Sequence, residues 1–388
     1  MLDPAAGHFS IRPEAPFTAT RRYLPGTLVL ETTFRTSRGS VRLTDALALE
    51  PGSRSHDIGK QAPHAIVRVV EGIRGSVPMR VELRPRFEYG LTVPHLRSSG
   101  GGVVALAGAD ELHLRAGVPL EIEDGQALGT FTVAPGRRRG FMLQYRSAFG
   151  PEPDDLPAAT VLLERTIASW RSWSADHVSY DGRDADLVRR SALVLQGLTY
   201  APSGGVIAAA TTSLPEIVGG SSNWDYRYVW LRDLSLTMQA LWVAACPTEI
   251  TRHLDLIWRA LGADEDLPVQ IMVGVTGERD LAEHELDHLR GFLDSRPVRV
   301  GNEAWRQRQF DVLGEVIDAA HLMRNQLGEL SRELRSLNRG LCEPGRSRLA
   351  RAGRRHVGGA RSGAPLHLVQ GPALGGPRPC DRHGGPAR

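Results

Sequence analysis

Four aromatic rings, two arginines and two aspartates stand within the eleven residues Asn223 to Asp233. Aromatic faces bind the apolar faces of sugar rings. An Arg–Asp pair offers fixed donors and acceptors to sugar hydroxyls, through charge-assisted hydrogen bonds roughly twice as strong as neutral ones. Arg232 and Asp233 lie where a loop gives way to the apolar run Leu234–Ala245, placed to grip a terminal sugar at its hydroxyls. Tyr226 suits the supply of electron density near an oxocarbenium-like centre, and Trp230 suits a pocket wall. The same spacing has a second reading, in which Asp233 caps a helix N-terminus and Arg232 pairs with a surface acid.

Two kinds of element must position these residues. Residues 1–150 read as β: short alternating runs such as Thr27–Phe34, Ala65–Val70, Arg80–Leu83 and Gly129–Val133 stand between Gly, Pro and Ser clusters, the pattern of a sandwich. Pro151 to Pro157 is a linker by composition. Helical periods begin at Ala158, where Leu162, Leu163, Ile167, Trp170 and Trp173 share one face. Asp184–Tyr200 is a second helix with a stripe of Leu187, Ala192, Leu193, Leu195 and Leu198. Leu231–Ala245, Ile250–Leu261 and Gln307–Leu327 follow. All seven tryptophans lie between Trp170 and Trp305. Core packing accounts for most of them, and proximity to the polar run favours sugar binding for Trp224 and Trp230. From Glu343 no period of 2 or 3.6 persists, and the Gly, Pro, Arg and Ala composition is that of a disordered tail.

Composition excludes several classes. A chain of 388 residues with 41% apolar and 23% charged residues is an ordinary soluble protein of about two domains. Lys60 is the only lysine, a bias that points to a GC-rich genome rather than to a nucleic-acid partner. Nine arginines against Glu343 and Asp381 put seven positive charges after residue 342, so the preceding body is mildly acidic and shows no basic stripe. Cys246, Cys342 and Cys380 are odd in number and far apart, against a disulfide framework or a cysteine zinc site. The N-terminus has no secretory signal pattern and no apolar run reaches spanning length, which predicts a cytoplasmic protein with no membrane partner.

The segment Thr211–Asp233 resembles the signature of glycoside hydrolase family 15, the family of glucoamylases and bacterial trehalases. The resemblance runs from about Ala158 to Leu322 and includes Arg190–Leu193, Leu198–Pro202, Gln270–Met272, Gly277–Arg279, Ser295–Asn302 and Gln307–Glu315. Phe17–Thr27 resembles the N-terminal domain of the trehalase-like branch. The resemblance implies a multidomain β plus α fold, with an N-terminal β-sandwich followed by a partial (α/α)6 barrel of the six-hairpin type. Its divisions are a sandwich at 1–150, a linker and linker helix at 151–180, the N-terminal half of the barrel at 181–342, and a tail at 343–388. It implies that Tyr226, Trp230, Arg232 and Asp233 line the site for the non-reducing glucose, and that Arg296 to Asn302 form another wall. The activity implied is glucose release from trehalose or an α-glucan oligosaccharide, tilted to trehalose by the N-terminal domain. The mechanism implied is inverting: one carboxylic acid protonates the glycosidic oxygen, and a carboxylate about 6.5–9.5 Å away activates water. No cofactor and no metal are implied.

The chain departs from the family where the chemistry should be. A Trp-Glu element after the Gln-x-Gln-x-Asp helix carries the family's general acid, and the base lies further on. Neither is identifiable here, so no catalytic residue is assigned. With GC-rich codons chosen for Glu343–Ala387, reading one base later restores a family-like sequence that includes Met-Trp-Glu. A frameshift near Cys342 is therefore expected, together with loss of activity in the chain as written. The alternative is a non-catalytic carbohydrate-binding remnant. A zinc-peptidase reading of His284-Glu285-Leu286-Asp287-His288 fits the H-E-x-x-H pattern. The acid-rich segment Asp280–His288 and the charged Asp287 point instead to a solvated helix or loop.

Overall fold

Period-2 alternation builds the N-terminal half. In the computed structural model the described residues are 3, 6–150, 155–177, 180–243, 252–254, 256, 257, 259, 270–307, 309 and 311–323. Within them, β1 (His8–Pro13), β6 (Val77–Arg84), β11 (Gln126–Val133) and β10 (Glu121–Glu123) form a four-stranded antiparallel sheet in the order β1-β6-β11-β10. A second sheet of eight strands runs β2 (Thr18–Tyr23), β3 (Leu30–Thr36), β4 (Gly39–Leu47), β5 (Ala65–Gly75), β12 (Arg138–Ser147), β9 (Asp110–Ala116), β8 (Gly102–Ala107), β7 (His95–Ser99). Every second residue of β6, from Val77 through Met79 and Val81 to Leu83, is buried. These pack with Val41, Leu43, Val70 and Phe141 of the large sheet to form the sandwich core.

The large sheet is covered on both faces, so its central strands have no polar side. Phe141 faces the small sheet, while its neighbour Met142 faces the opposite way, in a second core with Ala46, Val67 and Val69. Helix α1 (Ala159–Asp176) lies on that second face. Its buried residues Leu162, Leu163, Thr166, Ser169, Trp170 and Trp173 fall on one side at helical spacing. Trp170 and Trp173 meet edge to face at 6.3 Å, and the Thr166 hydroxyl accepts the Leu49 N–H at 3.2 Å. The segment read as a linker helix is thus a cover for the sheet.

Helix α2 (Ala185–Gly197) joins the same core through Ala192 and Leu193. Arg190 fastens it to the sandwich by donating to the Thr27 carbonyl at 2.8 Å and stacking over Tyr23. Two expectations are corrected here. Leu187 is 66% exposed, because five residues of helical turn carry it away from the Ala192 face. The helix also stops at Gly197, since Thr199–Tyr200 (β13) turn back to pair with Gly205–Val206 (β14). Helix α3 (Leu231–Val243) follows the short ladder of β15 (Val229–Trp230) with β16 (Met272–Val273). The last described helix, α4 (Asp311–Met323), packs against α3. It starts later than expected: Glu303–Arg306 form a 3-10 turn and Gln307 is extended. Of the helix expected at Ile250–Leu261, residues 252–254, 256, 257 and 259 are helical, and the rest, like residues 151–154, the three cysteines and the tail 343–388, lie outside the described residues.

Candidate functional site

The start of α3 gathers most of the sequence-predicted residues. Arg232 and Asp233 are in its first turn. Asp233 is therefore inside the helix rather than at its cap position, where a carboxylate is still favoured by the helix dipole. Arg232 donates through Nη1 to Gln309 Oε1 at 3.0 Å, and its Nε lies 3.7 Å from Asp233 Oδ1. Both side chains remain part-exposed, at 36% and 45%, so their outer polar atoms are open to a ligand. Burial raises the Asp233 pKa, with Arg232 opposing. On α4, burial and then Asp311 raise that of Glu315, and Asp233 adds to the rise while Arg232 opposes it. Tyr226 is raised by burial and by its hydrogen bond and proximity to Glu216, with Asp233 contributing. Tyr226, Arg232 and Asp233 are thus one electrostatic cluster, joined by Glu216, Gln309 and Glu315. Trp230 is half-buried beside it, its indole N–H without an acceptor among the described residues.

A second polar network holds the loops. Asp225 is fully buried, and its carboxylate accepts from Arg227 Nε at 2.9 Å, Arg227 Nη2 at 2.7 Å, the Arg227 amide at 3.2 Å and the Gly301 amide at 3.2 Å. The Asp225 carbonyl accepts from Asn302 Nδ2 at 3.0 Å, while Asn302 Oδ1 accepts the Ala304 amide at 3.0 Å. Asn302 is 5% exposed, so its amide shapes the loop rather than presenting itself as a free sugar ligand. Gly301, at φ 85°, sits so close to the Ala282 carbonyl that any side chain would collide with it. Arg299 knits the two loops from the other side, donating to the Ser221 carbonyl at 2.8 Å and pairing with Glu283 at 2.9 Å. Its guanidinium lies 4.6 Å from the Trp224 ring centre. That stacking covers one face of Trp224 and ties the ring to the scaffold, while the residue as a whole stays part-exposed. Arg296 is exposed and precedes Pro297 in a cis peptide.

Sequence reading missed Asp225, Arg227 and Arg299 as structural charges. Their one signal was the Asp-x-Arg spacing inside the polar run, which names a local pair but not the Gly301 amide far along the chain. Gln309 and Glu315 lie in Gln307–Glu315, a segment whose family resemblance names no role for either.

The raised Asp233 pKa has a consequence for pH. A carboxylate whose folded pKa is raised by burial is lost as an anion when pH falls through that raised value. Its contribution to stability has the opposite sense, full below the unfolded pKa and lost as pH rises through the folded one. Any contact that needs the Asp233 anion therefore fails on acidification at a higher pH than an ordinary aspartate would set. Titration of the Asp233 carboxyl, followed by NMR on the folded chain, is expected to give a midpoint above the usual aspartate range, and Asp233→Asn is expected to remove that signal.

The H-E-x-x-H segment forms no helix: His284 and Glu285 are a two-residue strand paired with Arg299–Val300, which removes the shared helix face the pattern requires. His288 instead pairs through Nε2 with the Tyr89 carbonyl at 3.0 Å. Among the described residues, no group of three or more His, Cys, Asp or Glu is arranged to hold a metal, and no helix is long and apolar enough to cross a membrane.

Two family profiles match the chain. Residues 182–342 match "Glycosyl hydrolases family 15" and residues 1–148 match "Trehalase-like, N-terminal". A trehalase of Mycolicibacterium smegmatis is 34% identical over 378 residues, covering 88% of this chain and 56% of that protein. A trehalase of Mycobacterium tuberculosis is 34% identical over 342 residues, covering 83% and 50%. Trehalase 1 of Sulfolobus acidocaldarius is 34% identical over 326 residues, covering 83% and 53%. The chain spans about half the length of the curated relatives it matches.

Proposed function

We propose that the chain, which belongs to glycosyl hydrolases family 15 through residues 182–342, carries the glucose-gripping part of an enzyme that hydrolyses an α-glucoside, with trehalose as substrate. The observation that carries this reading is the cluster at the start of α3. Arg232 and Asp233 stand side by side, part-exposed and held by Gln309, with Tyr226 and Glu315 close enough to shift with them. Arg232 donates to sugar hydroxyls, Asp233 accepts from them, Trp230 walls the ring, and Tyr226 faces the centre that gains positive charge. Arg296 stands on the rim of the opposite loop, which Asn302 holds in place. Trehalose is preferred over a glucan oligosaccharide because all three relatives above are named trehalases and the sandwich matches a trehalase-like domain.

The helices after residue 181 are read as the N-terminal half of an (α/α)6 barrel. Residues 343–388 are read as out of frame, a reading supported by the family match ending at residue 342. The acid and base of an inverting mechanism then belong to the sequence that the other frame encodes, and the chain as written hydrolyses nothing. The test compares glucose release from trehalose and from maltotriose by this chain and by a gene product read one base later from the Cys342 codon. Release from trehalose by the second protein alone is the expected result. Preferential release from maltotriose would replace trehalose by a glucan, and equal release by both proteins would remove the frame reading.

A further inference from the structure

The sandwich reaches into the network that shapes the sugar site, through one side chain. The loop Phe87–Thr92 closes on itself, with the Phe87 amide donating to the Thr92 carbonyl at 2.9 Å and the reverse bond at 3.2 Å. At its tip Glu88 and Tyr89 both hold positive φ, 49° and 58°. Non-glycine residues keep such backbone only where their surroundings over-determine it, and these sites tend to be functional.

The surroundings of Tyr89 are residues of the helical region. Its hydroxyl accepts from Arg227 Nη2 at 3.0 Å. Its ring lies beneath the same guanidinium, 5.3 Å from centroid to Cζ. Its carbonyl pairs with His288 Nε2 at 3.0 Å. Arg227 in turn holds the buried Asp225 carboxylate, which anchors the Gly301 amide while its own carbonyl takes the Asn302 side chain. A continuous chain of polar contacts therefore runs from the sandwich tip to the loop expected to wall the sugar site. Tyr89 thus lies against the part-exposed arginine of an ion pair whose aspartate is 0% exposed and whose arginine is 31% exposed.

We propose that Tyr89 is a positioning residue for the sugar site, set by the N-terminal domain and acting through Arg227 and Asp225 on loop 299–302. The inference rests on the sugar-site reading above. It makes the sandwich a structural part of that site rather than an independent glycan-binding module.

Two variants test it. Tyr89→Phe keeps the ring and removes the acceptor, and Tyr89→Ala removes both. Hydrogen–deuterium exchange on the chain as written is expected to quicken in segments 223–230 and 299–302, more for alanine than for phenylalanine, with the strands of the sandwich unchanged. In the hydrolase read in the other frame, KM for trehalose is expected to rise about tenfold, the scale of one lost hydrogen bond to a charged group, at unchanged kcat. That split reports loss of uniform binding, which a general loss of folded protein would not give. Altered exchange confined to residues 87–92, or unchanged KM, would overturn the proposal. A parent protein that cleaves no α-glucoside would sink the functional reading instead, and the exchange measurement would still decide whether Tyr89 governs the loops.

Discussion

In the proposed frame-restored hydrolase, Asp233→Ala is expected to lower kcat/KM for trehalose by about 10²–10³, while thermal stability changes little. Removing one preorganised charged partner of a transition state costs about that factor, and hydrogen bonds to sugar hydroxyls strengthen as an oxocarbenium-like state forms. The effect on folding is expected to be small. Asp233 sits in the first turn of α3 with a side chain 45% exposed, where a carboxylate contributes about 0.3–1 kcal/mol through the helix dipole. Burial also raises its pKa, so the fold gains something when the charge is deleted. Steady-state kinetics beside a melting curve separate the two roles. Unchanged turnover would return Asp233 to a helix-end residue and remove it from the site.

Asp225→Ala has the largest expected effect on stability, about 3–5 kcal/mol. The Asp225 carboxylate is wholly buried and accepts from Arg227 and the Gly301 amide. Its removal leaves a loop amide without its acceptor and a guanidinium with only Tyr89 and solvent, and breaking a buried pair from one side costs on that scale. Asp225→Asn keeps one acceptor and the shape, so it is expected to lose less. Urea denaturation measures both. A loss below about 1 kcal/mol for the alanine variant would mean that the two loops are held by Arg299 and Ser213 rather than by Asp225.

Regular structure was legible because burial imposes a period on it. The alternation Val77, Met79, Val81, Leu83 announced a strand with one buried face, and the spacing Leu162, Leu163, Trp170, Trp173 announced the buried side of α1. Errors came where a period was read too generously. Leu187 falls at a helical spacing yet does not join the stripe, and the helical period runs on through Thr199, which a hairpin with Val206 claims. The placing of Arg232 beside Asp233 in the first turn of a helix was legible from residue type and from the apolar run that follows. The network that holds the loops was not. Asp225 to Gly301, Asn223 to Pro297 and Ser213 to Arg299 are side chain to backbone bonds between irregular segments far apart in the chain. No local pattern encodes such partners, nor the Arg299 guanidinium that lies over one face of Trp224.

The most direct test of the central claim is glucose released from trehalose by the gene product read one base later from the Cys342 codon, with Arg232→Ala and Asp233→Ala variants beside it. The account predicts two glucose molecules per trehalose from the parent, and a loss of about 10²–10³ in both variants. A folded parent that releases no glucose from trehalose or maltotriose, or variants that match the parent, would contradict it.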